Sequence, residues 1–122
     1  RLEGSPGLRA WTTAVLARAE LACGDAPAGL EQAERGMAAL VTLGGMLQGE
    51  SLPPLALAEA LLATGDMARA REAADDAHAR LVVRAQRFQD FAQREGFLAR
   101  AENVAIVDLA ARLRDVSAPT AG

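Results

Sequence analysis

Twice in this chain an Ala/Leu-rich helical run breaks at Gly-Asp and resumes at once. The first passage reads AVLARAELACGDAPAGLEQA, the second LALAEALLATGDMARAREAA. Glycine suits the left-handed position after a helix end, and aspartate can cap the helix that follows. So short a connection forces the two helices to lie antiparallel, and small residues let them approach closely. Such a hairpin cannot bury its own apolar faces, so hairpins stack. Composition agrees. Ile106 is the only isoleucine, tyrosine is absent and aromatics make up 3% of the chain, so strand formers are scarce. Alanine and leucine lose little side-chain entropy in a helix. The expected fold is all-α, in one domain large enough to bury a core.

The elements can be placed from punctuation and period. RLEGSPG, residues 1–7, reads as a linker or frayed end. Residues 8–116 form the helical domain, with a hairpin at 8–49, a second at 53–95 and a closing helix at 103–115, about five helices in all. Leu8, Trp11, Val15, Ala19 and Ala22 recur at helical spacing in the first helix. Pro27 suits the first turn of the second helix, whose stripe holds Leu30, Ala33, Met37, Leu40 and Leu47. Gly44-Gly45 should end, kink or thin that helix. Ser51 is a candidate cap, and Pro53-Pro54 fit a first helical turn. Met67, Ala70, Ala74, Ala77, Leu81, Ala85, Phe88 and Ala92 predict one long helix with one apolar stripe, interrupted at Gly96. The closing helix should bury Ile106, Leu109, Ala110 and Leu113. Residues 117–122 are too poor in apolar side chains to pack and read as a disordered tail.

Several functions are argued against. The net charge is −3 with both signs interspersed, so no phosphate-tracking stripe for nucleic acid is present. No apolar run approaches the roughly 18 residues of a membrane span, and no signal peptide opens the chain. Cys23 is the only cysteine, which excludes an internal disulfide and fits a reducing cytoplasm. The chain begins at Arg1 rather than Met, so we expect a piece of a longer protein.

The two Gly-Asp units resemble the tetratricopeptide repeat family. Leu57-Ala58, Leu61, Gly65-Asp66, Ala70, Ala74 and Ala77 match its small and large positions in order. The first copy matches at Leu16-Ala17, Gly24-Asp25 and Ala33, and departs where Gly29 and Gly36 replace the usual alanines. The turns lie 41 residues apart, longer than the family's usual period, so the first unit has an extended second helix. The segment REGFLARAENVAIVDLAARL is similar to the closing segment of repeat regions that end large bacterial signalling proteins. Arg94, Phe97-Leu98, Asn103 and Leu109-Ala110 carry that likeness, although the usual proline near this asparagine is missing. Together the resemblances span most of residues 10–113. They imply hairpins stacked in a right-handed superhelix, with a partner bound on the inner face of each hairpin's first helix. Carried over by position, that face holds Trp11, Ala14, Arg18 and Leu21, then Leu55, Glu59 and Leu62. Trp11 can instead fill core beneath an upstream repeat.

Three arginines, Arg80, Arg84 and Arg87, step along one helix and could clamp a phosphate or a carboxylate terminus. Asp76 and Asp90 lie within reach, so a solvated face with helix ion pairs is the plainer expectation. Asp75 and His78 make at most half a metal site, and no second ligand pair exists, so no metal and no cofactor is expected. Cys23 is expected to be a packed thiol rather than a reactive one. No phosphate loop, nucleophile elbow or paired-carboxylate motif is present. The expected function is therefore a non-catalytic protein-interaction module of a bacterial signalling or transcription-regulatory protein. The competing expectation is a sensor of a small molecule or peptide, with Gly29, Gly36, Gly44 and Gly45 leaving room for the ligand. An upstream hairpin of a longer parent would bury Leu8, Trp11 and Val15; in the isolated fragment they are expected to be exposed, so a homodimer through the first helix is also expected.

Overall fold

The computed structural model describes residues 6–44 and 50–117. Within them the chain forms helices α1 (Pro6–Ala22), α2 (Ala26–Leu43), α3 (Leu52–Ala63), α4 (Met67–Ala85), α5 (Phe91–Leu98) and α6 (Ala101–Ser117), with no strand. The all-α expectation holds. Pro6 and Gly7 of the expected linker at 1–7 already belong to α1, and Ser117 of the expected tail at 117–122 ends α6; the rest of both segments and Leu47 of the expected α2 stripe lie outside the described residues.

Both Gly-Asp breaks are built alike. Gly24 and Gly65 each sit at φ 86°, a conformation that glycine adopts without steric cost. Asp25 then accepts the backbone N–H of Ala28, and Asp66 that of Arg69, each at 3.2 Å. The chain reverses within three residues. Further along, Gly44 at φ 76° donates its N–H to the carbonyls of Leu40 and Val41 and ends α2.

Helices α1 and α2 pack through small residues. Ala10, Ala14 and Ala17 are wholly buried, opposite Gly29, Ala33 and Gly36 of the antiparallel partner. A Cβ on Gly29 would stand 2.8 Å from Leu21 Cδ2 and 3.1 Å from the Ala17 carbonyl oxygen; one on Gly36 would stand 3.3 Å from that of Ala10. These two glycines therefore admit a neighbouring backbone, not a ligand. At Gly29 and Gly36 the room that the sequence allotted to a small molecule is filled by α1, while Gly44 has open space beside it and Gly45 lies outside the described residues. The buried stripe of α1 is the alanine one, and the bulkier stripe of Leu8, Trp11 and Val15 is exposed.

Helix α3 is central and is covered on nearly every side. Pro53 and Pro54 occupy its first turn as expected, and Leu55, Ala56, Ala58, Ala60 and Leu61 are all buried. It packs on both α1 and α2, while α6 in turn packs on both α3 and α4. One core joins Leu55, Ala58 and Leu61 to Ala70, Ala74, Ala77 and Leu81 of α4 and to Ile106, Leu109 and Leu113 of α6. A smaller one joins Ala14, Ala17, Ala33, Ala56 and Ala60.

The long stripe from Met67 to Ala92 is not one helix. Helix α4 stops at Ala85, and α5 starts afresh at Phe91, with Asp90 accepting the N–H of Gln93 at 3.1 Å. The stripe survives the break because Phe88, on the connection, still turns inward and stacks on Phe97 with ring centroids 5.1 Å apart. Ala92 is exposed. Gly96 does not interrupt α5, which runs on to Leu98.

Candidate functional site

Where α1, α3 and α6 lie side by side they leave an open groove of about 460 Å³. Helix α1 contributes Arg18, Leu21 and Ala22, α3 Glu59, Leu62 and Ala63, and α6 Leu109 and Arg112. Arg18 meets Glu59 side-on, Nε to Oε1 at 2.9 Å and Nη2 to Oε2 at 3.3 Å. This forked pairing fixes both planes. Both side chains are partly open to water, so the pair adds only about 0.2–1 kcal/mol. Its main effect is positional, holding charge at a set place between leucines. Arg112 pairs along its own helix with Asp108 at 3.3 Å.

Of the residues that the resemblance put on a binding face, Arg18, Leu21, Glu59 and Leu62 do converge here. Leu55 does not: at 1% exposure it belongs to the core, and Ala14 is wholly buried. Trp11 lies seven residues before Arg18, two turns up the same line of α1, and is 44% exposed. Leu109 and Arg112 were not foreseen as groove residues, because α6 was read only as a cover for the core.

Arg80, Arg84 and Arg87 share no open face. Arg80 pairs with Asp76 at 2.9 Å, as the plainer reading had it. Arg87 is exposed, and Asp90, its expected partner, caps α5 instead. Arg84 is drawn into a buried polar knot. Its Nε lies 3.6 Å from Glu50 Oε2, and its Nη1 donates to Ser51 Oγ at 2.8 Å. The Ser51 hydroxyl in turn donates to Asn103 Oδ1, and Asn103 Nδ2 donates to the Phe97 carbonyl at 2.8 Å. Ser51 therefore spends its side chain on α4 and α6 and makes no capping bond to α3. Burial pushes the Arg84 guanidinium below its ordinary pKa, and Glu50 acts in the opposite direction.

No family model, curated protein or solved structure matches this chain. Function must be read from the surface itself. Among the described residues no group of three or more His, Cys, Asp or Glu could hold a metal ion. Asp75 is engaged by Arg114 at 3.6 Å, beside His78. Cys23 is exposed rather than packed. No described helix is long and apolar enough to cross a membrane.

Proposed function

We propose that this chain is a non-catalytic protein-interaction module, a tetratricopeptide-like stack within a larger bacterial signalling or regulatory protein of the cytoplasm. The observation that carries the reading is the groove to which α1, α3 and α6 each lend one or two turns. Helix α3 packs on the two helices before it, and α6 packs likewise on α3 and α4, as stacked hairpins do. The groove offers Leu21 and Leu62 between fixed charges, with buried Leu109 at its floor, which suits a peptide segment that seats apolar side chains and is oriented by the ion pair. The test is affinity capture from the source cytoplasm with the wild-type chain, Leu62→Arg, Arg18→Glu and an outer-face control, Glu31→Ala. Proteins held by wild type and control should be lost from both groove variants. If folded Arg18→Glu and Leu62→Arg chains retain the same proteins, the groove is not the binding face.

The exposed line of Leu8, Trp11 and Val15 favours a second association, between copies of this chain through α1. Trp11→Glu is expected to shift the chain from dimer to monomer in light scattering. A wild-type monomer at high concentration would overturn this association, and a dimer indifferent to the substitution would place the contact elsewhere.

A further inference from the structure

A second groove, of about 450 Å³, opens between α4, α5 and α6 and shares no residue with the first. Its walls are apolar: Leu81, Val82 and Ala85 from α4, Leu98 from α5 and Val107 from α6. Val82 and Val107 are 41% and 43% exposed, so this apolar surface is open to solvent. His78 and Gln86 mark its extent along α4, two helical turns or roughly 12 Å. The volume falls within the roughly 300–1,000 Å³ of ordinary ligand pockets.

The cation in this groove is Arg94. No carboxylate lines the groove, and among the described residues Arg94 makes no ion pair. Its Nη2 donates to the Phe88 carbonyl at 2.7 Å, while its Nε is buried without a hydrogen-bond partner. The neighbouring arginines are already matched, Arg80 by Asp76 and Arg84 by Glu50. On its own element Asp90 is committed to the start of α5. A guanidinium with unused donor capacity beside apolar walls is the complement of a carboxylate on an apolar body. The walls are helices whose backbone groups pair internally, so the groove has no edge to recognise a peptide backbone. With no acid in the lining, nothing would hold the ammonium of an amino acid.

We infer that the groove between α4, α5 and α6 binds a free aliphatic monocarboxylate of medium chain length, its carboxylate on Arg94 and its chain against Val82, Leu98 and Val107. The inference is independent of the partner-binding reading above.

Titration calorimetry on the full chain, with methyl NMR as a second readout, tests it with octanoate, octanol, octylamine and a short apolar peptide. Octanoate should bind saturably and move the methyl signals of Val82 and Val107. Octanol should bind about tenfold more weakly or worse, having lost the charge-assisted contact. Arg94→Gln should bring octanoate down to the level of octanol. Val107→Asp changes an exposed residue, should leave the circular dichroism spectrum intact and should abolish binding by placing a carboxylate in the groove. Absence of saturable octanoate binding at millimolar concentration overturns the inference. So does equal binding of octanol or octylamine, tighter binding of the peptide, or octanoate binding that survives Val107→Asp. Should Arg94→Gln fail to fold, the ligand series and Val107→Asp decide.

Discussion

Arg84→Met is expected to lower the stability of the fold by about 3 kcal/mol. The side chains of Arg84 and Glu50 are only 13% and 12% exposed, so neither charge keeps much of its hydration. Removing one partner leaves the other charge in a poor solvent, which typically costs about 3–5 kcal/mol. The lower end applies because Glu50 keeps another contact and a strip of each side chain still meets water. The substitution also takes a donor from Ser51, whose hydroxyl links Arg84 to Asn103. Urea denaturation measures the loss. A second variant isolates its cause: Arg84→Met with Glu50→Leu should recover more than half of it, because well-packed apolar residues replace buried ion pairs at little cost. A single-variant loss under about 1 kcal/mol would mean that the pair behaves as a surface bridge.

Phe97→Ala should cost a similar amount, about 3 kcal/mol, and should act first on α5. The ring is 4% exposed and is the only buried residue of that eight-residue helix. Phe88 stacks against it, and the guanidinium of Arg84 sits 4.9 Å from its centroid. Truncation leaves a cavity where three segments meet. Hydrogen exchange should then show residues 86–100 opening well below the free energy of global unfolding. Uniform loss of protection along the chain would mean that α5 is held by something else. Phe97 and Arg84 touch, so the double variant should cost less than the sum of the two.

The hairpins were legible because their turns depend on single residues. A glycine that must reach positive φ and an aspartate that must cap are chemical requirements, and Gly24-Asp25 and Gly65-Asp66 meet them in order. The stripe of Ala70, Ala74 and Ala77 was legible for a related reason, since alanine spaced at three and four marks a close helix contact. Period alone could not choose between the two stripes of α1. The bulkier line of Leu8, Trp11 and Val15 drew notice, while the smaller Ala10, Ala14 and Ala17 face the core. Period also carried the reading across the end of α4. Asp90 with Gln93 three residues later is a helix-start pattern, but the inward step of Phe88 made the stripe look unbroken. The polar knot left almost no linear signal. Ser51 reads as a helix cap and Asn103 as part of a resemblance, and they lie 52 residues apart, so nothing in the order of residues joins the two. For the groove, Arg18, Leu21, Glu59 and Leu62 followed from a resemblance, whereas Leu109 and Arg112 needed the position of α6.

The two Gly-Asp turns share a glycine torsion and a cap distance, and each is closed by atoms within a few residues of itself. The torsion and the cap of each turn come from its own hairpin, and a tie across is made by Arg69, beside the Asp66 cap, which reaches Glu34 of the first hairpin at 3.2 Å. The consequence concerns heredity more than mechanics. A segment carrying its own turn and its own cap can be duplicated, excised or grafted as one piece of coding sequence without redesigning the junction inside it. What a transplanted piece must satisfy lies on its flanks: alanines and glycines small enough to let the next helix in.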